Sequence, residues 1–235
     1  MTKILYIHQY FNTTNHAGST RSFEFSKRLV EKKVDVTVLT GTFLGFDDFV
    51  SSKGNFVLDG IKVHNMGTKY SSKMNYLRRI ISFLEFCILT SFYVIKNRQF
   101  DIVLCSSTPI TVALPGILAK FFKNSKFIFE VRDLWPEMPI AVGAIKNKIF
   151  IEILYRFENY IYRTADHLIA LTPGMKQGIL NSAQKYGGTI KKVTIIPNSC
   201  DIEFFDKSRK FKFDKLDLNN KSKEFKKKKK INKKF

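Results

Sequence analysis

The feature that most constrains the fold is an alternation of short apolar runs with longer amphipathic stretches. The apolar runs are rich in β-branched and aromatic residues and lie at Ile4–His8, Val34–Thr40, Ile102–Ser106, Lys126–Val131, His167–Leu171 and Val193–Ile196. Such runs favour buried parallel strands. Helical stretches separate them at residues 19–32, 73–98, 109–123, 145–164 and 173–185. The pattern predicts an α/β fold, a doubly wound, mostly parallel, Rossmann-like sheet with right-handed crossovers.

Two departures from this alternation bear on the domain organisation. Asp59-Gly60 separates two alternating runs within residues 56–64, which predicts a small antiparallel hairpin insert. Residues 206–235 hold 14 Lys or Arg against 4 Asp or Glu, half of the formal net charge of +20. Blocks of like charge stay solvated. We therefore expect one domain over residues 1–205 and a disordered Lys-rich tail over 206–235.

The most apolar stretch, Ile80 to Ile95, spans 16 residues and contains Glu85. A transmembrane helix needs about 20 apolar residues. We expect a long helix that covers the sheet, and the alternative is a helix lying on a membrane surface.

Cysteine usage and the start of the chain favour a cytoplasmic protein. Cys87, Cys105 and Cys200 are widely spaced and odd in number, so they do not form a disulfide framework. Residues 1–7 suit a buried strand better than a signal peptide. No secretion is implied.

The first candidate site follows the first strand. In an open parallel sheet, ligands bind at the carboxyl ends of the strands. His8 ends the first strand, and a loop with Gly18 leads into a helix that Ser19 or Thr20 could cap. Free amides there favour an anionic group. The alternative is that Gly18 permits a tight turn and His8 is a buried core residue.

The second candidate site is the end of the strand at 126–131, where Arg132, Asp133, Trp135 and Glu137 follow an apolar run. Charged groups beside an aromatic surface suit a polar ligand with a flat apolar face, such as a sugar. The alternative is an ion pair of Arg132 with Asp133 or Glu137 that ties down the loop.

No metal site is predicted. Asp47 and Asp48 are adjacent and lack a further ligand set, so a solvated loop is the better interpretation. The sequence shows neither a nucleophilic triad nor a P-loop signature.

Six motifs stand in a fixed order: His8-Gln9-Tyr10-Phe11, Gly18-Ser19-Thr20-Arg21, Glu130-Val131-Arg132-Asp133-Leu134-Trp135-Pro136-Glu137, Ala165-Asp166-His167, Leu171-Thr172-Pro173-Gly174-Met175 and Ile196-Pro197-Asn198-Ser199-Cys200-Asp201. As a set they resemble glycosyltransferase family 4, over residues 1–205. The likeness points most strongly to bacterial O-antigen and capsule transferases, including the N-acetyl-L-fucosamine transferase subgroup. The resemblance implies the amino-terminal half of a GT-B fold.

It also implies retaining, metal-independent transfer of a sugar from a nucleotide-diphosphate donor, without a cofactor, to a saccharide that is often lipid-linked. In this family the loop matching Ala17, Gly18 and Ser19 approaches the donor phosphate. Asp133 and Arg132 match the catalytic positions, with Asp133 orienting the reacting hydroxyls. We assign substrate or phosphate contacts to four further residues: His8, Arg21, Trp135 and Glu137.

Three departures from the family pattern stand out. Ala17 occupies the place of a second glycine, and Ser199 replaces the common Asn-Gly before Cys200-Asp201. The paired-glutamate motif that holds the donor is absent from the sequence. We therefore expect that the carboxyl-terminal donor domain is missing or separately encoded, and that the chain alone is inactive.

Three other functions compete with an enzyme. The net charge suggests nucleic-acid binding, but the basic residues lie mostly in an aromatic-poor tail, so no specific nucleic acid is expected. A membrane-surface acceptor-binding module fits a mixture of aromatic and cationic residues at Tyr76–Arg79, the apolar helix after it, Tyr155-Arg156, Tyr160 and Tyr162-Arg163. The alternative is that one helix face packs on the sheet and the Arg stems lie at its rim. The third is an inactive, truncated remnant. We expect a cytoplasmic protein with peripheral contact at the inner face of the cell membrane.

Overall fold

The computed structural model describes residues 1–13, 18–43, 54–71, 73–97, 100–141, 143 and 145–199. Residues 1–198 form one compact unit. The predicted boundary at residue 205 and the Lys-rich tail lie outside the described residues, so both stay predictions.

The described strands form one sheet of eight in the order β3-β4-β2-β1-β5-β6-β7-β8. In chain order, β1 to β8 are Lys3–Ile7, Asp35–Phe43, Gly54–Leu58, Ile61–Tyr70, Ile102–Ser106, Lys126–Val131, His167–Ala170 and Val193–Ile195. All neighbours pair in parallel except β3 and β4. Because the strand order reverses direction at β1, the crevice between β1 and β5 is the expected ligand position. The predicted α/β, mostly parallel fold is confirmed.

The described helices lie on both faces of this sheet. In chain order, α1 to α6 are Arg21–Glu31, Tyr76–Lys96, Ala113–Lys123, Glu137–Ala141, Lys148–Thr164 and Pro173–Tyr186. Helix α1 packs on one face through Phe23. Helices α2, α3, α5 and α6 pack on the other face through Phe86, Ile117, Ile161 and Ile179. The alternation of side chains along each strand supplies both cores, as Leu5 and Ile7 face the second layer while Tyr6 faces the first.

The predicted hairpin is present but is not a separate insert. Asp59 and Gly60, both with positive φ, turn the chain between β3 and β4. Strand β4 then pairs in parallel with β2 along its length, with a register irregularity after Thr40. The hairpin therefore extends the main sheet, and β3 becomes its antiparallel edge. The two-residue turn was readable from the sequence, whereas the pairing of β4 with β2 depends on contacts distant in the chain.

The most apolar stretch forms α2, a helix of 21 residues that covers the sheet. Asn75 caps it, since the Asn75 side chain accepts a hydrogen bond from the amide of Arg78 at 3.0 Å. Phe86, Thr90 and Val94 are buried against the sheet. Within the part of the chain that the structure describes, no helix has the length and apolar character needed to traverse a bilayer.

Candidate active site

The candidate site lies at the carboxyl ends of β1, β5 and β6, beside the start of α1. The parallel pairing of β1 with β5 and of β5 with β6 brings these strand ends side by side. His8 therefore lies near Ser107 and Arg132, although the three come from distant parts of the chain. This edge is the one at which open parallel sheets bind ligands.

His8 is fully buried, and both of its ring nitrogens have partners. Arg132 Nη1 lies 3.0 Å from His8 Nε2. Because a guanidinium only donates, Nε2 accepts this bond and Nδ1 carries the proton. Nδ1 lies 2.8 Å from Ser22 Oγ and donates to it. Burial, and then the charge of Arg132, lower the pKa of His8 to about 3. His8 is thus a neutral acceptor that holds Arg132 in place.

Arg132 is a half-buried cation at the mouth of the site. Its amide donates to Ser107 Oγ at 2.9 Å, which fixes the backbone where β6 ends. Within the described ranges, no carboxylate forms an ion pair with its guanidinium. The alternative of an Arg132 pair with Asp133 or Glu137 is therefore wrong. A held cation that has no carboxylate partner among the described residues suits an anionic ligand.

Asp133 is exposed and oriented by a neighbouring strand end. Its Oδ2 accepts a hydrogen bond from Thr108 Oγ1 at 2.5 Å. Thr108 follows β5, so the carboxylate lies between the ends of β5 and β6. This hydrogen bond fixes the direction of an exposed carboxylate, and a contact of Asp133 with a ligand stays a prediction. Ser107 and Thr108 were not singled out from the sequence, because small polar residues after a strand resemble any loop.

Position 18 requires glycine because of its backbone conformation and its close neighbours. Its φ of 137° is a conformation that L-residues rarely adopt. A Cβ there would lie 2.5 Å from Asn12 Nδ2. Ala17, the neighbour assigned to the phosphate, lies outside the described residues. The positive φ and the close neighbour both call for glycine at this position, while the approach of Gly18 to a phosphate stays a prediction.

The start of α1 is only weakly capped. Thr20 stands at the N-cap position, but its side chain makes no capping hydrogen bond. The exposed Ser19 hydroxyl accepts from the amide of Arg21 at 3.5 Å, a long contact. The first amides of a helix have no partner inside the helix. This end of α1 therefore keeps donors for an anion, and the phosphate role of Ser19 stays a prediction.

Arg21 is buried and its guanidinium makes internal contacts. Nε donates to Glu130 Oε1 at 2.8 Å, Nη2 donates to the carbonyl of Ile196 at 2.8 Å, and Nη1 donates to the carbonyl of Pro197 at 2.8 Å. The guanidinium also lies over the Phe25 ring, 4.3 Å from its centroid. The structure thus places Arg21 as an anchor between α1, β6 and the segment after β8. Its assignment as a phosphate ligand stays a prediction.

Glu130 is the buried carboxylate that receives this anchor. Besides Arg21, its Oε2 accepts from Ser106 Oγ at 2.5 Å and from the Tyr6 hydroxyl at 3.2 Å. A buried carboxylate with several donors is stable because each oxygen is satisfied. The sequence signal was a glutamate within an otherwise apolar strand, but its partners are 24 to 124 residues away.

Trp135 and Glu137 lie further along the same loop. Trp135 is half-buried against the core, and its amide donates to Glu158 Oε1 at 3.2 Å. The Tyr162 hydroxyl donates to the same oxygen at 2.6 Å. Burial of Glu158 raises its pKa to about 7, with the charge of Glu137 acting in the same direction and these two hydrogen bonds opposing. The loop is therefore tied to α5. Glu137 is exposed as the first residue of α4, and ligand contacts of both residues stay predictions.

The described residues hold no group of three or more His, Cys, Asp or Glu side chains arranged to bind a metal ion. Asp47 and Asp48 lie outside the described residues. Cys87 and Cys105 are buried free thiols, and burial raises the pKa of both.

A separate cavity of about 600 Å³ lies between the sheet and α2. Its lining includes Lys3 and Asp35, the first residues of β1 and β2, together with His64 and Tyr93. It is therefore at the amino ends of these strands, on the opposite edge from His8 and Arg132. It does not contribute to the candidate site.

Known proteins resemble this chain in sequence family and in fold. A family model described as "Glycosyl transferase 4-like domain" matches residues 18–199, more than half of the chain. The probable glycosyltransferase WbjE of Pseudomonas aeruginosa is 27% identical over 82 residues, which make up 34% of this chain and 20% of that protein.

Solved structures show the same fold at low sequence identity. Sucrose-phosphate synthase from Thermosynechococcus elongatus superposes with a TM-score of 0.59 at 10% identity, over 86% of this chain and 49% of that one. A shorter form of the same synthase superposes with a TM-score of 0.56, and this match covers 89% of this chain and 98% of that one. Anabaena HepE, solved in complex with UDP and glucose, superposes with a TM-score of 0.50 at 15% identity. This match covers 46% of the HepE chain. The chain therefore spans about half the length of the full-length solved relatives.

Proposed function

The chain belongs to the glycosyl transferase 4-like domain family, and on this premise we propose that it is the acceptor-side domain of a GT-B glycosyltransferase. The reaction is transfer of a sugar from a nucleotide-diphosphate sugar to a saccharide acceptor, with retention of configuration at the anomeric carbon. We propose surface polysaccharide synthesis as its setting, as in O-antigen or capsule assembly, and a lipid-linked saccharide as the acceptor.

The observation that carries this proposal is the Arg132 guanidinium, which neutral His8 holds beside the exposed Asp133. Arg132 and the weakly capped start of α1 supply fixed positive partners for an anionic group. Asp133, oriented by Thr108, accepts a hydrogen bond from a sugar hydroxyl. A cation for the diphosphate and a carboxylate for the hydroxyl are the two groups that sugar transfer from such a donor requires.

In the proposed step, the bond from the anomeric carbon to the diphosphate oxygen breaks, and a bond from that carbon to the acceptor oxygen forms. The acceptor proton passes to the departing diphosphate or to solvent. Negative charge grows on the leaving group, so preorganised cations accelerate the step. Asp133 orients the reacting hydroxyl, and Gly18 allows the loop before α1 to approach the phosphate closely.

We propose that turnover needs a second, donor-binding domain, separately encoded or otherwise supplied. The support is that this chain covers 49% and 46% of two full-length solved relatives. The structure of HepE with UDP and glucose supports a nucleotide sugar as the donor class. We also propose a cytoplasmic location at the inner face of the cell membrane, which agrees with the buried free thiols Cys87 and Cys105.

A second candidate is a membrane-surface module that binds the acceptor without turnover of its own. The apolar outer side of α2, described below, favours it. The two candidates differ in what a donor-binding partner adds. A transferase gains turnover with that partner, whereas an acceptor-binding module does not.

The test is transfer of radiolabelled sugar from a panel of nucleotide sugars to a membrane lipid extract, by the chain alone and with a separately encoded donor half. We expect turnover only with the partner. Arg132→Gln should then lower kcat/KM by about 100-fold, because it removes a preorganised charge. Lys32→Gln, an exposed change at the end of α1, is the control and should retain full activity.

Each other result contradicts part of this proposal. Turnover by the chain alone would show that no donor domain is needed. Equal turnover by Arg132→Gln and the unchanged protein would remove the role of Arg132. No turnover in either arrangement would contradict the transferase and favour the acceptor-binding module.

A further inference from the structure

The solvent-facing side of α2 is apolar along its whole length. The exposed residues form one row: Leu77, Ile81, Leu84, Ile88, Phe92 and Ile95. At about 100° per residue they fall within an arc of about 80°. The exposed fractions of Leu77 and Phe92 are 70% and 65%. The row lies opposite the buried side that carries Phe86 and Val94, so the core does not account for it.

A helix with apolar residues on both sides is normally covered on both. Large apolar side chains scattered singly over a surface need no explanation, but a contiguous exposed row marks an interaction site. Since the sheet covers only the buried side of α2, something else covers the other side in the working protein.

Helices α3 and α5 extend this surface, since both pack on the same face of the sheet as α2. Their exposed large apolar residues are Leu114, Phe121 and Phe122 on α3, and Ile149, Phe150, Ile153 and Tyr160 on α5. Together with the row on α2, these residues are named the apolar helical face. On the opposite face of the sheet, α1 exposes no large apolar residue, and its solvent side carries charged groups such as Arg28 and Glu31. The apolar exposure is therefore confined to one side of the domain.

Cations accompany the apolar helical face. On these three helices and the residues just before them, the exposed basic residues are Lys73, Arg78, Lys96, Lys146, Lys148, Arg156 and Arg163. In the same set Glu85 is exposed, and the partly exposed Glu152 forms an ion pair with Arg156 at 2.9 Å, so the cations remain in excess. Tyr76 and Tyr160, at 48% exposed each, combine an apolar ring with a polar hydroxyl. Apolar side chains among cations and tyrosines are the composition of membrane-surface segments.

We propose that the apolar helical face docks on the surface of a bilayer that contains anionic lipid. Lysines and arginines near such a surface are attracted by its negative potential, while the apolar row enters the headgroup boundary. A second copy of the chain is a poorer occupant, because two surfaces with the same excess of cations repel each other. The proposed donor domain is also a poorer occupant, since it has to face His8 and Arg132 at the carboxyl edge of the sheet.

The test is sedimentation of the full chain with vesicles of phosphatidylcholine, with and without phosphatidylglycerol. We expect binding to the anionic vesicles. The variant Ile81→Gln/Ile88→Gln/Phe92→Gln should lower the bound fraction about fivefold or more, because it removes three insertable side chains. All three residues are more than half exposed, so the circular dichroism spectrum should not change. The control is Val57→Gln, which changes an exposed residue of the edge strand β3, outside the three helices of this face, and should bind as the unchanged protein does.

Charge is tested separately, because the Lys-rich tail carries 14 basic residues of its own. Arg78→Gln/Lys96→Gln should weaken binding more than Lys32→Gln/Lys33→Gln, the matched pair at the end of α1. Raising the salt should weaken binding in every variant, since it screens the cations. Binding of the triple apolar variant equal to that of the unchanged protein would show that the tail alone binds, and would overturn the proposal.

Two further results would also overturn it. One is no sedimentation with anionic vesicles. The other is a dimer in lipid-free buffer that the triple variant dissociates, since a second copy would then cover the face. The assay contains no donor or acceptor sugar, so failure of docking contradicts the proposed location at the membrane but leaves the proposed sugar transfer standing, and failure of sugar transfer leaves docking standing.

Discussion

At the scale of single residues, burial decides which form of a titratable side chain the folded protein holds. His8 keeps a neutral ring because burial and Arg132 lower its pKa to about 3. Its single acceptor nitrogen then faces Arg132, which an imidazolium could not do without repulsion. His8 therefore acts on a ligand through Arg132, as a positioning residue.

Glu158 gives a prediction at this scale. Its pKa is raised from an ordinary 4.5 to about 7, so folding favours the protonated form. The unfolded chain releases this proton at lower pH, so this contribution to stability is complete below about pH 4.5 and is lost as pH rises toward 7. Glu158→Gln mimics the protonated form and keeps an oxygen for Trp135 and Tyr162. We expect it to match the unchanged protein near pH 4.5 and to be more stable near pH 8.

The measurement is urea unfolding at both pH values. Glu137→Gln is the control, because Glu137 is exposed on the same loop, and it should leave the difference between the two pH values nearly unchanged. If the free energy of unfolding of Glu158→Gln changes with pH as that of the unchanged protein does, the assigned role of Glu158 is contradicted.

At the scale of elements, the site depends on how closely the helices approach the sheet. Helix α3 lies over β5 and β6 at Gly116, where a Cβ would lie 2.3 Å from the Phe127 ring and 2.8 Å from Cys105 Sγ. The preceding segment carries Ser107 and Thr108, which hold Arg132 and Asp133. A shift of α3 would therefore move the contacts of both candidate catalytic residues.

The corresponding prediction compares two helical glycines. Gly116→Ala should destabilise the protein by about 1–3 kcal/mol, because the added methyl overpacks a filled core. Gly174→Ala in α6 is the control, because the nearest atom to its Cβ would be Thr172 Oγ1 at 3.9 Å. That change should be neutral or slightly stabilising, since alanine is the better helix former. The measurement is the midpoint of urea unfolding, and equal midpoints for the two variants would contradict the close approach.

At the scale of the whole molecule, Arg21 joins segments that are far apart in the chain. It connects the start of α1 to Glu130 on β6 and to the carbonyls of Ile196 and Pro197 after β8. The start of α1, the end of β6 and the segment after β8 therefore meet at one guanidinium. Any movement of the chain after β8 is mechanically linked to the loop proposed to bind phosphate.

Removal of this cation should be costly. Arg21→Met leaves Glu130 buried without its charged partner and should lower stability by about 3–5 kcal/mol. Adding Glu130→Gln to that variant should restore a large part of the loss, because the uncompensated charge is gone while Ser106 and Tyr6 keep an oxygen to donate to. Urea unfolding of the unchanged protein, the two single variants and the double variant measures this double-mutant cycle. Additive effects of the two substitutions would show that the ion pair is not coupled, contrary to the structure.

The sequence by itself determined the fold class and the position of the candidate site. The periodicity of apolar residues fixes strands and helices locally, and parallel strands place polar residues such as His8, Arg132 and Asp133 at one edge of the sheet. The hairpin turn at Asp59-Gly60 is likewise a local property. The ligand roles of His8, Arg132 and Asp133, and those of Trp135, Glu137, Ser19 and Arg21, stay predictions.

Only the tertiary structure decided which polar side chains meet. Arg21 pairs with Glu130 rather than standing free, Arg132 is held by His8 instead of a carboxylate, and Asp133 is oriented by Thr108. The strand β4 joins the main sheet for the same reason, through pairing with β2. These contacts join residues up to 124 positions apart, and no local pattern encodes them. The degree of burial of each side chain is likewise a property of the folded whole. It sets the charge state of His8, and it leaves the outer side of α2 exposed.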